Sequence, residues 1–268
     1  MKYTIGCIGC GNMGGALVRA LAKTLSEGEI AICDKHTEKT ELLNRECGAV
    51  VTSAEDIAKN AKFVMLGVKP QVFEEALGAI AAPLSENPEA IVVSMAAAVS
   101  IFDIDRILSR FEITRGIIRM MPNTPVSLGE GVIEYARYGV SDEANEAFRR
   151  MFQKAGLVDE IPEGKIDAAS ALSGCGPAFV YLFAEALSDG AVACGLPRTT
   201  AIRYAAQTLV GAGKMIEAYG HLSDLKDAVC SPGGTTIEGV RALEEGGLRA
   251  AAMNAVIRAY EKTLKLQK

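Results

Sequence analysis

Apolar residues follow two rhythms along this chain. In the first, short runs at 4–8, 29–33, 49–51, 63–67, 90–95 and 117–120 are rich in Ile, Val and other apolar residues at successive positions. That pattern predicts strands buried on both faces. Between them, at about 12–25, 38–47, 53–60, 71–82 and 101–110, apolar residues recur at helical spacing. Strand, helix, strand in this order predicts a parallel sheet covered by helices on both sides. Two further short strands, near 132–136 and 157–161, bracket a helix at 142–155 and are expected to finish the sheet edge.

The second rhythm begins after about Pro162. Residues 166–268 offer no convincing strand and are rich in Ala, Leu, Met and Gly. Helices are expected near 166–194, 198–219, 235–245 and 247–267, with breaks at 195–197 and 231–234. So many small residues permit close approach of helices. The organisation is therefore read as two domains, 1–162 and 163–268, the second a dimerisation unit or a monomeric cap.

Composition narrows the function. The chain has 268 residues, a net charge of −5 and only two histidines, and a pI of about 5.3. This balance gives no basic footprint for nucleic acid and no basic block for an anionic membrane. No uninterrupted apolar run reaches the roughly 18–20 residues of a membrane span. Gly9, Gly11, Asn12 and Gly14 interrupt the apolar start, and no basic segment precedes it, so a secretion signal is not expected. Seven scattered cysteines, with one C-x-x-C at Cys7 and Cys10 and no nearby histidine, are read as reduced thiols of a cytoplasmic protein rather than a metal site.

Candidate chemistry begins in the first turn. Residues 5–14 read Ile-Gly-Cys-Ile-Gly-Cys-Gly-Asn-Met-Gly, a strand entering Gly-x-Gly-x-x-Gly and then a helix. Gly9 allows the tight turn, Gly11 lets backbone approach a pyrophosphate, and Gly14 lets helix and strand pack closely. In that context the motif predicts a dinucleotide site in a Rossmann-type, doubly wound, mostly parallel sheet. Asp34 ends the second strand, where a carboxylate takes the ribose hydroxyl of NADH and repels a 2′-phosphate. Lys35 and His36 follow and could compensate, and Asp34 could instead cap the next helix, so NADH and NADPH both stay open.

Further clusters fall where such a sheet places its strand ends: Val68-Lys69-Pro70, Ser94-Met95-Ala96-Ala97 and Met121-Pro122-Asn123-Thr124-Pro125. The helical half adds Leu172-Ser173-Gly174-Cys175-Gly176-Pro177-Ala178-Phe179. It also carries Leu225-Lys226-Asp227-Ala228-Val229-Cys230-Ser231-Pro232-Gly233-Gly234-Thr235-Thr236. With these motifs in this order, the chain resembles pyrroline-5-carboxylate reductase over essentially its whole length. The 231–236 run is the most specific part. By itself that run reads as an anion site, a tight loop opening a helix whose first amides are unpaired. It also reads as a capping box of Thr235 with Glu238.

The resemblance implies reduction of 1-pyrroline-5-carboxylate to L-proline with hydride from NADPH or NADH, the last step of proline biosynthesis. It implies that Ile8, Gly9, Cys10, Gly11, Asn12 and Met13 hold the pyrophosphate, and Asp34 and Lys35 the adenosine ribose. It places Val68, Lys69, Pro70, Met95, Ala96, Ala97 and Asn123 around the nicotinamide. Ser231, Gly234, Thr235 and Thr236 would hold the substrate carboxylate, with the Thr236 hydroxyl near the imine nitrogen, and Glu163 would touch the proline ring. The helical domain would make a homodimer with the substrate site at its interface, a larger ring of dimers being left open. Cys175 and Phe179 stand where the family commonly has Ser and Tyr.

The scarcity of bases suits this chemistry. Oxidising an alcohol requires a general base, yet neither His36 nor His221 falls in a nicotinamide motif. Val180 and Tyr181 stand where related hydroxyacid dehydrogenases carry a lysine. An imine nitrogen is far more basic than a carbonyl oxygen, so the substrate arrives protonated and electrophilic. The alternatives are a reductase for another cyclic imine and a catalytically silent dinucleotide sensor.

Overall fold

The computed structural model describes residues 1–266, and the expected end of the last helix at 267 lies outside them. The apolar runs become β1 (Tyr3–Ile8), β2 (Ile30–Cys33), β3 (Val50–Val51), β4 (Ala61–Leu66), β5 (Ile91–Ser94) and β6 (Gly116–Pro122). β7 (Gly131–Tyr138) and β8 (Gly156–Glu160) follow. They form one sheet in the order β3-β2-β1-β4-β5-β6-β7-β8. Every pairing is parallel except β6 with β7. The link between those two holds only a 3-10 turn, Thr124–Ser127, and is too short for the crossover that a parallel return requires.

Helices α1 (Asn12–Leu21), α2 (Thr37–Cys47), α3 (Ala54–Asn60), α4 (Phe73–Ala79), α5 (Ala81–Ser85), α6 (Ile101–Ser109) and α7 (Asp142–Phe152) cover the sheet. Alternate strand residues feed two cores. Along β4, Phe63 and Met65 join Leu17, Leu21, Phe148 and Phe152 on one face. Val64 and Leu66 join Ile57, Phe73, Leu77, Ile104 and Leu108 on the other.

Three expected helices differ in detail. α1 stops at Leu21 rather than near 25. The 71–82 stretch is a 3-10 turn, Pro70–Val72, followed by α4 and α5. Pro83 has no amide to give to a continuous helix, and the chain breaks at Ile80 just before it. The 166–194 stretch divides into α8 (Glu163–Ser173) and α9 (Gly176–Ala193).

Two compact units result, Met1–Cys175 with the segment from Ala259 onward, and Gly176–Arg258. The first runs past the expected boundary at 162/163 because α8 belongs to it: Ile166 is buried in the second core, and Arg119 of β6 binds Asp167.

The remaining helices are α10 (Arg198–Tyr219), α11 (Leu222–Ala228), α12 (Thr235–Glu245) and α13 (Leu248–Leu266), the last shared between the two units. The short α11 was not expected from periodicity. α9 packs along α10 through Ser188, Ala201 and Ala205, the buried residues of that pair, while α11, α12 and α13 bury none. Tyr181 and Leu182 on α9 are 64% and 69% exposed. By length and composition alone, the helical stretch Glu163–Ala193 could cross a membrane, which the reading from uninterrupted apolar runs had not anticipated. The helix is interrupted at Gly174 and Cys175.

Candidate active site

The strand order places β1 between β2 and β4, the point where successive crossovers depart in opposite directions. In open α/β sheets, ligands bind outside the carboxyl ends of the strands at such a switch point. Five adjacent parallel strands deliver the first unit's candidate residues to that edge: β2 ends before Asp34, β1 before Gly9, β4 before Val68, β5 before Met95, and β6 before Asn123.

The glycine turn is built by contacts that only glycine allows. Gly9 has φ of +102°, and a Cβ there would lie 2.6 Å from the Gly67 carbonyl oxygen. The Gly9 amide donates to Cys33 O and the Gly67 amide to Ile8 O, each at 2.8 Å, which clamps the turn between its neighbouring strands. A Cβ on Gly14 would lie 2.1 Å from Gly9 O, so helix and strand touch backbone to backbone. Above Gly11 nothing lies within 4 Å of a Cβ position. Gly11 is also the N-cap of α1, with no side chain capping the helix and no acidic residue in its first turn. Uncapped amides beside open space fit the pyrophosphate of a dinucleotide.

Asp34 is turned toward this loop. Its Oδ2 accepts from the Cys10 amide at 2.7 Å and its Oδ1 from the His36 amide at 2.9 Å, with Lys39 Nζ at 4.0 Å. The N-cap of α2 is His36, so Asp34 is not that helix's cap. Lys35 and His36 are exposed. Beneath the turn, Cys7 and Cys10 are both buried thiols. Cys7 Sγ donates to Gly9 O and Cys10 Sγ to Cys33 O, and the influence of each thiol on the other lowers Cys10 and, with burial, raises Cys7 well above the usual range. Among the described residues, no group of three or more His, Cys, Asp or Glu could hold a metal.

At the neighbouring strand ends, Lys69 is exposed and leads into the 3-10 turn at Pro70. Ser94 Oγ accepts from the Ala96 amide, which tightens the Met95–Ala97 turn. Asn123 is only 7% exposed. Its Nδ2 donates to Ser173 O at 2.9 Å and its Oδ1 accepts from the Val132 amide at 2.8 Å.

Glu163, at the start of α8, has its carboxylate engaged within the chain. Its Oε1 accepts from the Ile101 amide at 2.6 Å, at the start of α6, and lies 3.4 Å from Arg119 Nη1. Arg119 is 2% exposed and also donates to Asp167 Oδ1 at 2.6 Å. Glu163 lines a cleft of about 520 Å³ with Ile101, Arg137 and Glu160, and no residue of the glycine turn lines it. Sequence reasoning passed over Arg119, Asp167 and Glu134, and took Ser173 only as part of the 172–179 motif. A charged residue inside an otherwise apolar strand, as in Ile118-Arg119-Met120 and Ile133-Glu134-Tyr135, was the available signal.

In the second unit, the 231–236 run forms a turn and then α12. Gly233 has φ of +68°, and the Gly234 amide donates to Ser231 O. A Cβ on Gly234 would lie 2.4 Å from Ser231 Oγ, so glycine lets that hydroxyl lie over the helix start. Gly234 is the N-cap and makes no side-chain bond. The capping box of Thr235 with Glu238 does not form: Glu238 pairs with Arg241 instead, at 2.8 Å. Ser231, Thr235 and Thr236 are exposed, grouped around uncapped amides, an arrangement able to receive a small carboxylate.

Comparison with known proteins follows the same division. A family model described as pyrroline-5-carboxylate reductase dimerisation matches residues 163–266. One described as NADP oxidoreductase, coenzyme F420-dependent, matches residues 4–98. The pyrroline-5-carboxylate reductase of Escherichia coli (strain K12) is 38% identical across 100% of both chains. That of Arabidopsis thaliana is 35% identical over 99% of this chain and 96% of its own. A pyrroline-5-carboxylate reductase structure from Coxiella burnetii matches with a TM-score of 0.89 at 30% identity, covering 100% of both chains. A Plasmodium falciparum pyrroline carboxylate reductase with NADP bound matches with 0.87 at 29%, again over 100% of both. Shared sequence and shared fold along the entire chain place it in the pyrroline-5-carboxylate reductase family.

Proposed function

We propose that this protein reduces the C=N bond of 1-pyrroline-5-carboxylate to L-proline with NADPH or NADH, the last step of proline biosynthesis, as a cytoplasmic homodimer. The observation that carries this reading is likeness to named reductases across the whole chain, at 38% identity with no part left over. We assign 1–162 to the cofactor and 163–268 to dimerisation and substrate.

A dinucleotide held at the glycine turn would supply the hydride for the imine carbon. The chain's own residues position the two reactants. The open backbone from Ile8 to Met13 takes the pyrophosphate, and Asp34 and Lys35 flank the ribose. Val68, Lys69, Pro70, Met95, Ala96, Ala97 and Asn123 bound the nicotinamide. Ser231, Gly234, Thr235 and Thr236 hold the substrate carboxylate, and orientation of a protonated imine then provides most of the rate. The Thr236 hydroxyl holds the nitrogen proton. Glu163 acts at one remove in this scheme, since its carboxylate is engaged by Ile101 and Arg119.

Absorbance of the reduced nicotinamide tests the proposal, with 1-pyrroline-5-carboxylate added to the purified protein and NADH and NADPH run in parallel. Oxidation accompanied by stoichiometric proline is expected. Tight cofactor binding without substrate-dependent oxidation would reject this substrate and leave only the dinucleotide site.

A further inference from the structure

Glu134 is a carboxylic acid in the wrong place for an ordinary one. It sits on β7, is 2% exposed, and its Oε2 has no hydrogen-bond partner. Its other oxygen lies 2.6 Å from Ser173 Oγ, which is also 3.0 Å from Ala169 O. A hydroxyl has one hydrogen, and a carbonyl can only accept. With an ionised Glu134 the single serine hydrogen would have to be shared between two acceptors; both contacts are full hydrogen bonds when Glu134 is protonated and donates to Ser173 Oγ, leaving the serine hydrogen for Ala169. Burial independently pushes the Glu134 carboxyl above its usual range.

Ser173 links this acid to the end of β6. Its carbonyl receives Asn123 Nδ2, whose carboxamide is turned by the second bond from the Val132 amide. We propose that Glu134 is a positioning residue working as a neutral acid: it fixes Ser173, and Ser173 fixes the Asn123 carboxamide at the nicotinamide end of β6. The nicotinamide part rests on the cofactor assignment above, whereas the chain of contacts does not.

The groups facing Glu134 are few. On the same face of the sheet, β6 carries Arg119 and β8 carries Asp159, the residue in register with Glu134. α8, packed on that face, carries Glu163 and Asp167. The Arg119 charge is directed to these two α8 carboxylates, so it is not the partner of an ionised Glu134.

The test compares wild type with E134Q, E134A, S173A and N123A as full-length protein. It reads the KM for NADPH and kcat from pH 5 to 10, together with hydrogen exchange at the Val132 amide. In wild type, the KM is expected to rise about fivefold, the worth of one hydrogen bond, once Glu134 loses its proton. E134Q, neutral and similar in shape, should flatten that profile and keep the low KM. E134A should show the high KM at every pH, with kcat within about twofold and with Val132 exchange accelerated. S173A should behave as E134A does. Accelerated exchange without a change in KM, together with a silent N123A, would uphold the positioning chain and reject the cofactor role of Asn123. E134A matching wild type in exchange, or E134Q failing together with E134A, would overturn the proposal.

Discussion

The two units handle apolar side chains in opposite ways. In Met1–Cys175, strands and helices bury Phe63, Phe148, Phe152, Leu17 and Ile57 to essentially zero exposure. In Gly176–Arg258, helices just as apolar leave Tyr181, Leu182, Val210 and Met253 half or more exposed, and three of them bury no residue at all. Burying apolar area is the main favourable term in folding, and a unit this small with so little of it buried has little stability of its own. The first unit is a domain in its own right; the second is half of something. The match of residues 163–266 to a dimerisation model names the other half as a second copy.

The sharpest way to break this contrast is to charge the exposed helix face. The double variant Y181D/L182D should cost about 2 kcal/mol or more per residue in dimer stability, read by sedimentation as monomer with loss of activity. The same kind of change at exposed Phe102, in the first unit, should be nearly silent. Thr236→Ala comes next: kcat should fall about 100-fold, whereas replacing His36 or His221 should change it by about twofold or less. If both histidine variants lost most activity and Thr236→Ala kept it, the role given to Thr236 would be wrong.

Within the first unit, Gly14→Ala drives a methyl into Gly9 O and should destabilise by about 1–3 kcal/mol, seen in urea unfolding along with weaker cofactor binding. Asp34→Ser removes a negative charge from the ribose position and should move the NADPH/NADH preference toward NADPH by about tenfold, or 1.4 kcal/mol. Unchanged preference would assign Asp34 wholly to holding Cys10 N and His36 N.

The smallest effect concerns Glu134 and pH. Its folded-state pKa lies above the ordinary one, so between the two values the folded protein holds a proton that the unfolded chain has released. Stability contributed at this site therefore falls as pH rises through that window, and stays low above it. E134Q should consequently unfold at a higher temperature than wild type at pH 8, by ~2–4 °C for each kcal/mol relieved, and at the same temperature near pH 4. An equal difference at both pH values would contradict this linkage.

Much of the molecule was legible because the signals are local. Each glycine of the first turn marks a backbone contact, and the strand–helix rhythm marks the sheet. The reading failed where non-local contacts decide. Nothing in the spacing of 166–194 says that the helix starts earlier, at Glu163, and that its first part packs on β6 and β7. The capping box is the exception, a local competition in which Glu238 pairs with Arg241 three residues on rather than with the helix start. Ionisable residues inside strands were visible as oddities, but their partners lie 39 to 48 residues away in sequence.

By itself, the sequence determined the alternation of buried strands and amphipathic helices, the glycine turn, the loop before α12 and the family, because each is written in neighbouring residues. Tertiary structure alone decided which side chains those elements leave engaged. It gave Asp34 to the Cys10 and His36 amides, Glu163 to α6 and Arg119, and Glu134 to Ser173, because a buried polar group must find whatever partner the packed chain brings within reach.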